Sequence, residues 1–135
     1  MRLRMLAAAG VLVSGAVHLW LWFDGYRTLS VIGPAFLLNA VAGVVIAALL
    51  LWWRHWVPLL LAIGFGVSTL GAFVLSATVG LFGVHEMWTG GAVLTAAASE
   101  VVAIVASVTT LVHAYGVPDR NLMRHALALR HTPTR

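Results

Sequence analysis

The chain is 135 residues long, 61% hydrophobic and 9% charged, with mean hydropathy +0.99 and formal net charge +4. Soluble domains carry about 25% charged residues, so the composition excludes an ordinary water-soluble fold and points to a membrane. Cysteine is absent, which excludes disulfides and thiolate metal ligation, and the basic excess reads as a topology signal with no support for nucleic-acid binding.

A spanning helix needs about 20 mostly apolar residues. Four such segments can be drawn, at 5–23, 33–53, 57–82 and 91–115. They predict an all-α membrane protein: an antiparallel bundle of four transmembrane helices in one domain, 1–116, with both termini cytoplasmic. No length is left for a soluble catalytic domain.

The first segment has the basic start and apolar run of a signal peptide. Its apolar run continues through His18 to Phe23 without an A-x-A-like cleavage site, so it reads as a retained span. Val11, Ser14, His18 and Leu21 form one line along it. The second span opens with Pro34 in its first turn, where the missing N–H is not needed, and aligns Asn39, Gly43 and Ile46. The third opens with Pro58 and aligns Gly64, Ser68, Gly71, Leu75 and Thr78.

The connection "GLFGVHEMWTGG" follows, with His85 and Glu86. In the fourth span Ala96, Glu100, Ala103, Ser107, Thr110 and Ala114 recur in steps of four and three. Small and polar residues of this kind let membrane helices approach closely, so Glu100 is expected to face protein within a left-handed bundle. The tail 117–135 is basic; Asp119 could cap a short interfacial helix with Leu122, Ala126 and Leu129 as its apolar stripe.

Orientation follows from the arginines, because cytoplasmic flanks keep positive charge. With the N-terminus inside, Arg2, Arg4, Arg54, Arg120, Arg124, Arg130 and Arg135 are cytoplasmic and Arg27 alone is outside. At about 1.5 Å rise per residue, His18, Asn39 and Glu100 lie roughly 8, 9 and 14 Å below the outer ends of their spans. They form a candidate intramembrane polar cluster, with His85, Glu86 and Asp24 as candidates at the outer mouth.

A carboxylate at mid-membrane costs about 2.5–3.5 kcal/mol on insertion scales, so it faces an interior and commonly marks a pathway or proton site. The competing structural reading is a Glu100 that locks helices through Asn39, a serine or His18. His18, Asp24, His85 and Glu86 together could supply the three or four ligands of a metal, without a known spacing signature. No phosphate loop, nucleophile elbow or His-Glu-x-x-His helix is present.

The run "HLWLWFDGYRTLSVIGPAFLLNAVAGVV", with "GLFGVHE" further on, resembles a group of uncharacterised small four-span membrane proteins of actinobacterial type. That resemblance implies a four-helix membrane architecture and assigns no residue a role.

Three functions are compatible with these features. The first expectation is a multi-pass protein of the cytoplasmic membrane without catalytic activity, serving as an accessory or interaction subunit for another membrane protein or a second copy. The second is a proton-coupled carrier or channel for a small molecule, using Glu100. The third is a metal or haem protein at the outer face. No cofactor is favoured, and the bilayer is the one partner all three share.

Overall fold

The computed structural model describes residues 1–116; the basic tail 117–135 and its interfacial helix lie outside the described residues. Four helices make up the fold: α1, Arg2–Phe23; α2, Ile32–Trp52; α3, Val57–Thr78; and α4, Gly91–Tyr115. Each is long and apolar enough to cross a membrane. A single 3-10 turn, Tyr26–Thr28, sits between α1 and α2.

Apolar helices persist here because each satisfies its own backbone groups, the condition a bilayer imposes. Most hydroxyls serve that economy as well. Thr69, Ser99 and Thr110 donate back to carbonyls of their own helix, at 2.8, 2.8 and 2.7 Å. A serine or threonine in these spans is therefore ordinary unless its hydroxyl leaves its own helix.

Helix α1 is the centre of the bundle, packed against α2 on one side and α4 on the other, with α3 resting mainly on α4. Glycine permits these approaches. A Cβ on Gly10 would stand 2.6 Å from the Ser99 carbonyl oxygen, and one on Gly43 would stand 2.7 Å from that of Val11. Gly10 lies against Ala103, and Ser14 against Glu100, so α1 and α4 run antiparallel. Gly15 against Ala40 and Gly43, with Arg4 reaching Leu50, shows the same for α1 and α2.

A small-residue core follows: Ala7, Ala8, Val11, Ala47, Ala62, Ala103 and Ala106, closed by Leu50 and Leu59. The opposite faces carry large apolar side chains outward, such as Leu38 at 70% exposure and Val44 at 60%. Such a surface suits lipid and would be costly in water.

Two sequence expectations change. Helix α3 stops at Thr78, four residues short of the expected end at 82, because Gly80, Phe82 and Gly83 all have positive φ (84°, 50° and 83°) and Leu81 and Val84 close a tight turn with paired backbone bonds. The face of α3 that packs is also different. Leu59, Ala62, Phe65, Gly66 and Ser76 are buried, whereas Gly64, Ser68, Gly71, Leu75 and Thr78 are exposed. The stripe expected to seal α3 into the bundle faces an open space or the periphery.

The sequence also gave no hint of what Arg4 does. Its guanidinium, 7% exposed, donates to the carbonyls of Trp53 at 3.1 Å and His55 at 2.6 Å. It thus neutralises the carbonyl end of α2, where the helix dipole favours a cation.

Candidate functional site

Helices α2 and α3 are joined by the short link Trp53–Trp56, and Leu50 and Leu59 meet near it in the core. Toward the other end of the bundle they part around a cavity of about 540 Å³. Its wall is mostly apolar, with Phe36, Ile46, Phe65 and Phe73, and its polar groups are few: His18, Asn39, Glu86 and Glu100 among them. All three members of the expected intramembrane cluster therefore line one space.

Their bonding differs from a simple triad. Glu100 is 2% exposed, and Ser14, fully buried, donates its hydroxyl to Glu100 Oε1 at 2.7 Å. This hydroxyl leaves its own helix, tying α1 to α4. His18 does not reach the carboxyl directly. Its Nδ1 lies 2.8 Å from the Ser14 carbonyl oxygen, which can only accept, so Nδ1 carries a hydrogen and Nε2 is the nitrogen left to other partners. Ser14 thus joins His18 to Glu100. The Asn39 Oδ1 is buried and has no partner, an arrangement that leaves a polar atom in an apolar wall at a cost of about 1–3 kcal/mol.

At the Tyr26 end the cavity is bordered by the two connections. The Tyr26 hydroxyl donates to the Glu86 carboxylate, joining the α1–α2 segment to the α3–α4 segment. Glu86 is held in turn by its backbone N–H, which donates to Ser76 Oγ at 3.3 Å, while Ser76 donates to the Val84 carbonyl at 2.9 Å. Burial, then the hydrogen bond to Glu86, then the negative charges of Glu86 and Asp24 push the Tyr26 phenol up to about 12. The Tyr26 ring stacks on Phe36, 5.0 Å between centroids, and Phe36 meets His18 edge-on at 4.9 Å. An unbroken line of contacts thus runs from Glu86 through Tyr26, Phe36, His18 and Ser14 to Glu100.

Of the three residues expected at the outer mouth, only Glu86 lines the cavity. Asp24 is exposed just past the end of α1, and His85 is exposed with its ring against Gly80. Among the described residues no three His, Asp or Glu side chains come together to hold a metal ion. The expected outer ligand set of His18, Asp24, His85 and Glu86 is therefore not assembled, because His18 turns inward and His85 packs on the α3–α4 turn.

Tyr26 and Phe36 were not marked by the sequence as site residues. Tyr26 reads as one more interfacial aromatic, and a phenylalanine in a span carries no signal apart from its neighbours. No protein-family model matches the chain, and no curated protein or solved structure matches it either. Among the described residues, four helices long and apolar enough to span a membrane and a mostly apolar cavity bordered by a buried glutamate are what the geometry provides.

Proposed function

We propose that this chain is a multi-pass protein of the cytoplasmic membrane, with both termini cytoplasmic, that carries a small, mainly apolar molecule through the α2–α3 cavity in exchange for a proton at Glu100. One observation carries the reading: a cavity of about 540 Å³ contains a carboxyl group on α4 and, among the described residues, no arginine or lysine lines it. Small-molecule sites commonly occupy about 300–1,000 Å³, apolar with a few convergent polar groups. An intramembrane acid without a cationic partner holds either a proton or a ligand's positive or donor group, and alternation between the two is the elementary step of exchange. The orientation rests on the arginine distribution, with Arg2, Arg4 and Arg54 on the side opposite Arg27.

The absence of native cysteine makes a direct test available. Single cysteines at Ala72 and Ala97, both on the cavity wall, are compared with one at Val67, which is 56% exposed on the periphery of α3. In membranes, a small charged thiol reagent should alkylate the first two from the Arg27 side and spare the third. Equal inertness at all three positions would mean a sealed, dry interior and would sink the carrier reading.

The accessory-subunit reading keeps one supporting observation, the sparse contact between α2 and α3. An apolar helix from a partner could complete that side. In that case Ala72→Cys would be protected in native membranes and become reactive once the chain is purified alone.

A further inference from the structure

We infer that the molecule taken by this cavity is a primary amine with an apolar body, bound as its ammonium between Glu100 and Asn39. The inference rests on the carrier reading and narrows it to a ligand class.

Once Glu100 has given up its proton, the unmet polar atoms of the cavity are acceptors. Asn39 Oδ1 is buried without a donor, Glu100 presents a carboxyl group that Ser14 bonds at Oε1, and Glu86 adds a second carboxylate toward the Tyr26 end. A ligand complementary to them must donate. An ammonium brings three N–H donors and no acceptor, so it can serve Glu100 and Asn39 together.

Charge selects in the same direction. The chain contains no lysine, and none of Arg2, Arg4, Arg27 and Arg54, the arginines among the described residues, lines the cavity. A carboxylate ligand would therefore find no cation to pair with and would share the cavity with the Glu86 carboxylate, a like charge. A neutral alcohol could donate one bond and leave the rest of the acceptors unserved. The wall favours the body of the ligand to be hydrocarbon or aromatic, and the rings of Phe36, Phe65 and Phe73 add faces that attract a cation.

Binding is balanced by a proton. An ammonium that pairs with a protonated Glu100 displaces its proton, so one proton leaves for each amine bound. The other titratable groups around the cavity are His18 on α1, Tyr26 in the α1–α2 connection and Glu86 in the α3–α4 connection; α2 and α3 contribute Asn39, Ser68, Thr69 and Ser76, which do not titrate near neutrality. Tyr26 donates to Glu86, and an ammonium pairs with a carboxylate and not with the His18 imidazole, so Glu100 is the exchanging group.

Four probes sharing a ten-carbon tail separate head-group chemistry from hydrophobic uptake: decylamine, decanol, decanoate and decyltrimethylammonium. Each is measured by equilibrium binding to the full chain in lipid nanodiscs, with empty nanodiscs subtracted, and proton release is followed in weak buffer. Decylamine should bind one per chain and release one proton, with the other three weaker by about tenfold or more, the worth of one charge-assisted hydrogen bond. Glu100→Gln should weaken decylamine by about thirtyfold and abolish the proton signal while leaving decanol unchanged. Asn39→Leu, which keeps the carboxyl, should weaken decylamine by about tenfold and serves if Glu100→Gln folds poorly.

Decanol, decanoate or the trimethyl cation binding as tightly as decylamine would overturn the amine assignment while leaving a working cavity. Should none of the four bind above empty nanodiscs, the amine assignment falls, and if cysteines at Ala72 and Ala97 are also as inert as one at Val67, the carrier reading falls with it.

Discussion

Replacing Ser14 by alanine separates a glutamate that locks the bundle from one that serves a site. Ser14 is fully buried and its hydroxyl donates to Glu100 Oε1 at 2.7 Å across the α1–α4 contact. Interhelical hydrogen bonds in membranes average about 0.6 kcal/mol in measured cycles and reach roughly 1.7. A short bond to a carboxyl oxygen that is 2% exposed belongs near the upper end of that range, so Ser14→Ala should cost about 1.5 kcal/mol. The removed oxygen is too small to leave a damaging cavity, hence nearly all of the loss is the bond. Glu100→Gln keeps an Oε1 acceptor for Ser14 and should cost less, about 0.5 kcal/mol. Reversible unfolding in mixed micelles, followed by helical circular dichroism, measures both. A double-mutant cycle of Ser14→Ala, Glu100→Ala and the double alanine variant should return a coupling near the Ser14→Ala value. If Glu100→Gln destabilises by about 3 kcal/mol or more while Ser14→Ala is nearly silent, the carboxyl group is a structural lock with other partners, and the assignment of Glu100 to exchange is wrong.

Glycine substitutions should split by position along the bundle. Gly10→Ala drives a methyl to 2.6 Å from the Ser99 carbonyl and 3.0 Å from Ala103, and should destabilise by about 1–3 kcal/mol. Gly71→Ala meets nothing within 4 Å and should stabilise by about 0.5–1 kcal/mol, read in the same unfolding assay. The Tyr26 phenol is raised to about 12 in the fold against about 10 in the unfolded chain. A raised value means the neutral phenol is favoured by folding, so its contribution is complete below pH 10 and is lost as pH climbs from about 10 to about 12. Absorbance at 295 nm should show this late tyrosine, and Tyr26→Phe should remove both that titration and the matching slope in stability. Because the same variant unties the two connections, alkylation of Ala97→Cys should become faster; an unchanged rate would mean the Tyr26–Glu86 bond does not restrict the cavity.

Much of the candidate site was legible because period and polarity suffice for it. Glu100 sits among Ala96, Ala103 and Ser107 at helical spacing, so its face had to be covered, and α1 covers it. Equal depth along neighbouring spans brought His18 and Asn39 to the same level. Their roles were not legible. A serine in a span normally bonds its own helix, as Ser99 and Thr110 do, and nothing local distinguishes Ser14 from them. The stripe of α3 misled for a related reason: small residues permit close packing without requiring it, and Gly64 and Gly71 have no neighbour across from them.

Local sequence determined by itself what depends on summed composition and on repeat: four apolar helices, Pro34 and Pro58 in the first turns of α2 and α3, and a glutamate on a small-residue seam. Tertiary structure decided what depends on the distance between segments remote in the chain. The separation of α2 from α3 opens the cavity, the crossing of α1 and α4 at Gly10 gives Glu100 its serine, and the fold brings Arg4 to the carbonyl end of α2. The left-handed turn at Gly80, Phe82 and Gly83 ended α3 early, and the connection that follows it brings Glu86 to Tyr26. In a bilayer every apolar face is tolerated by lipid, so hydropathy cannot say which faces meet; only steric fit and the few polar bonds between helices do.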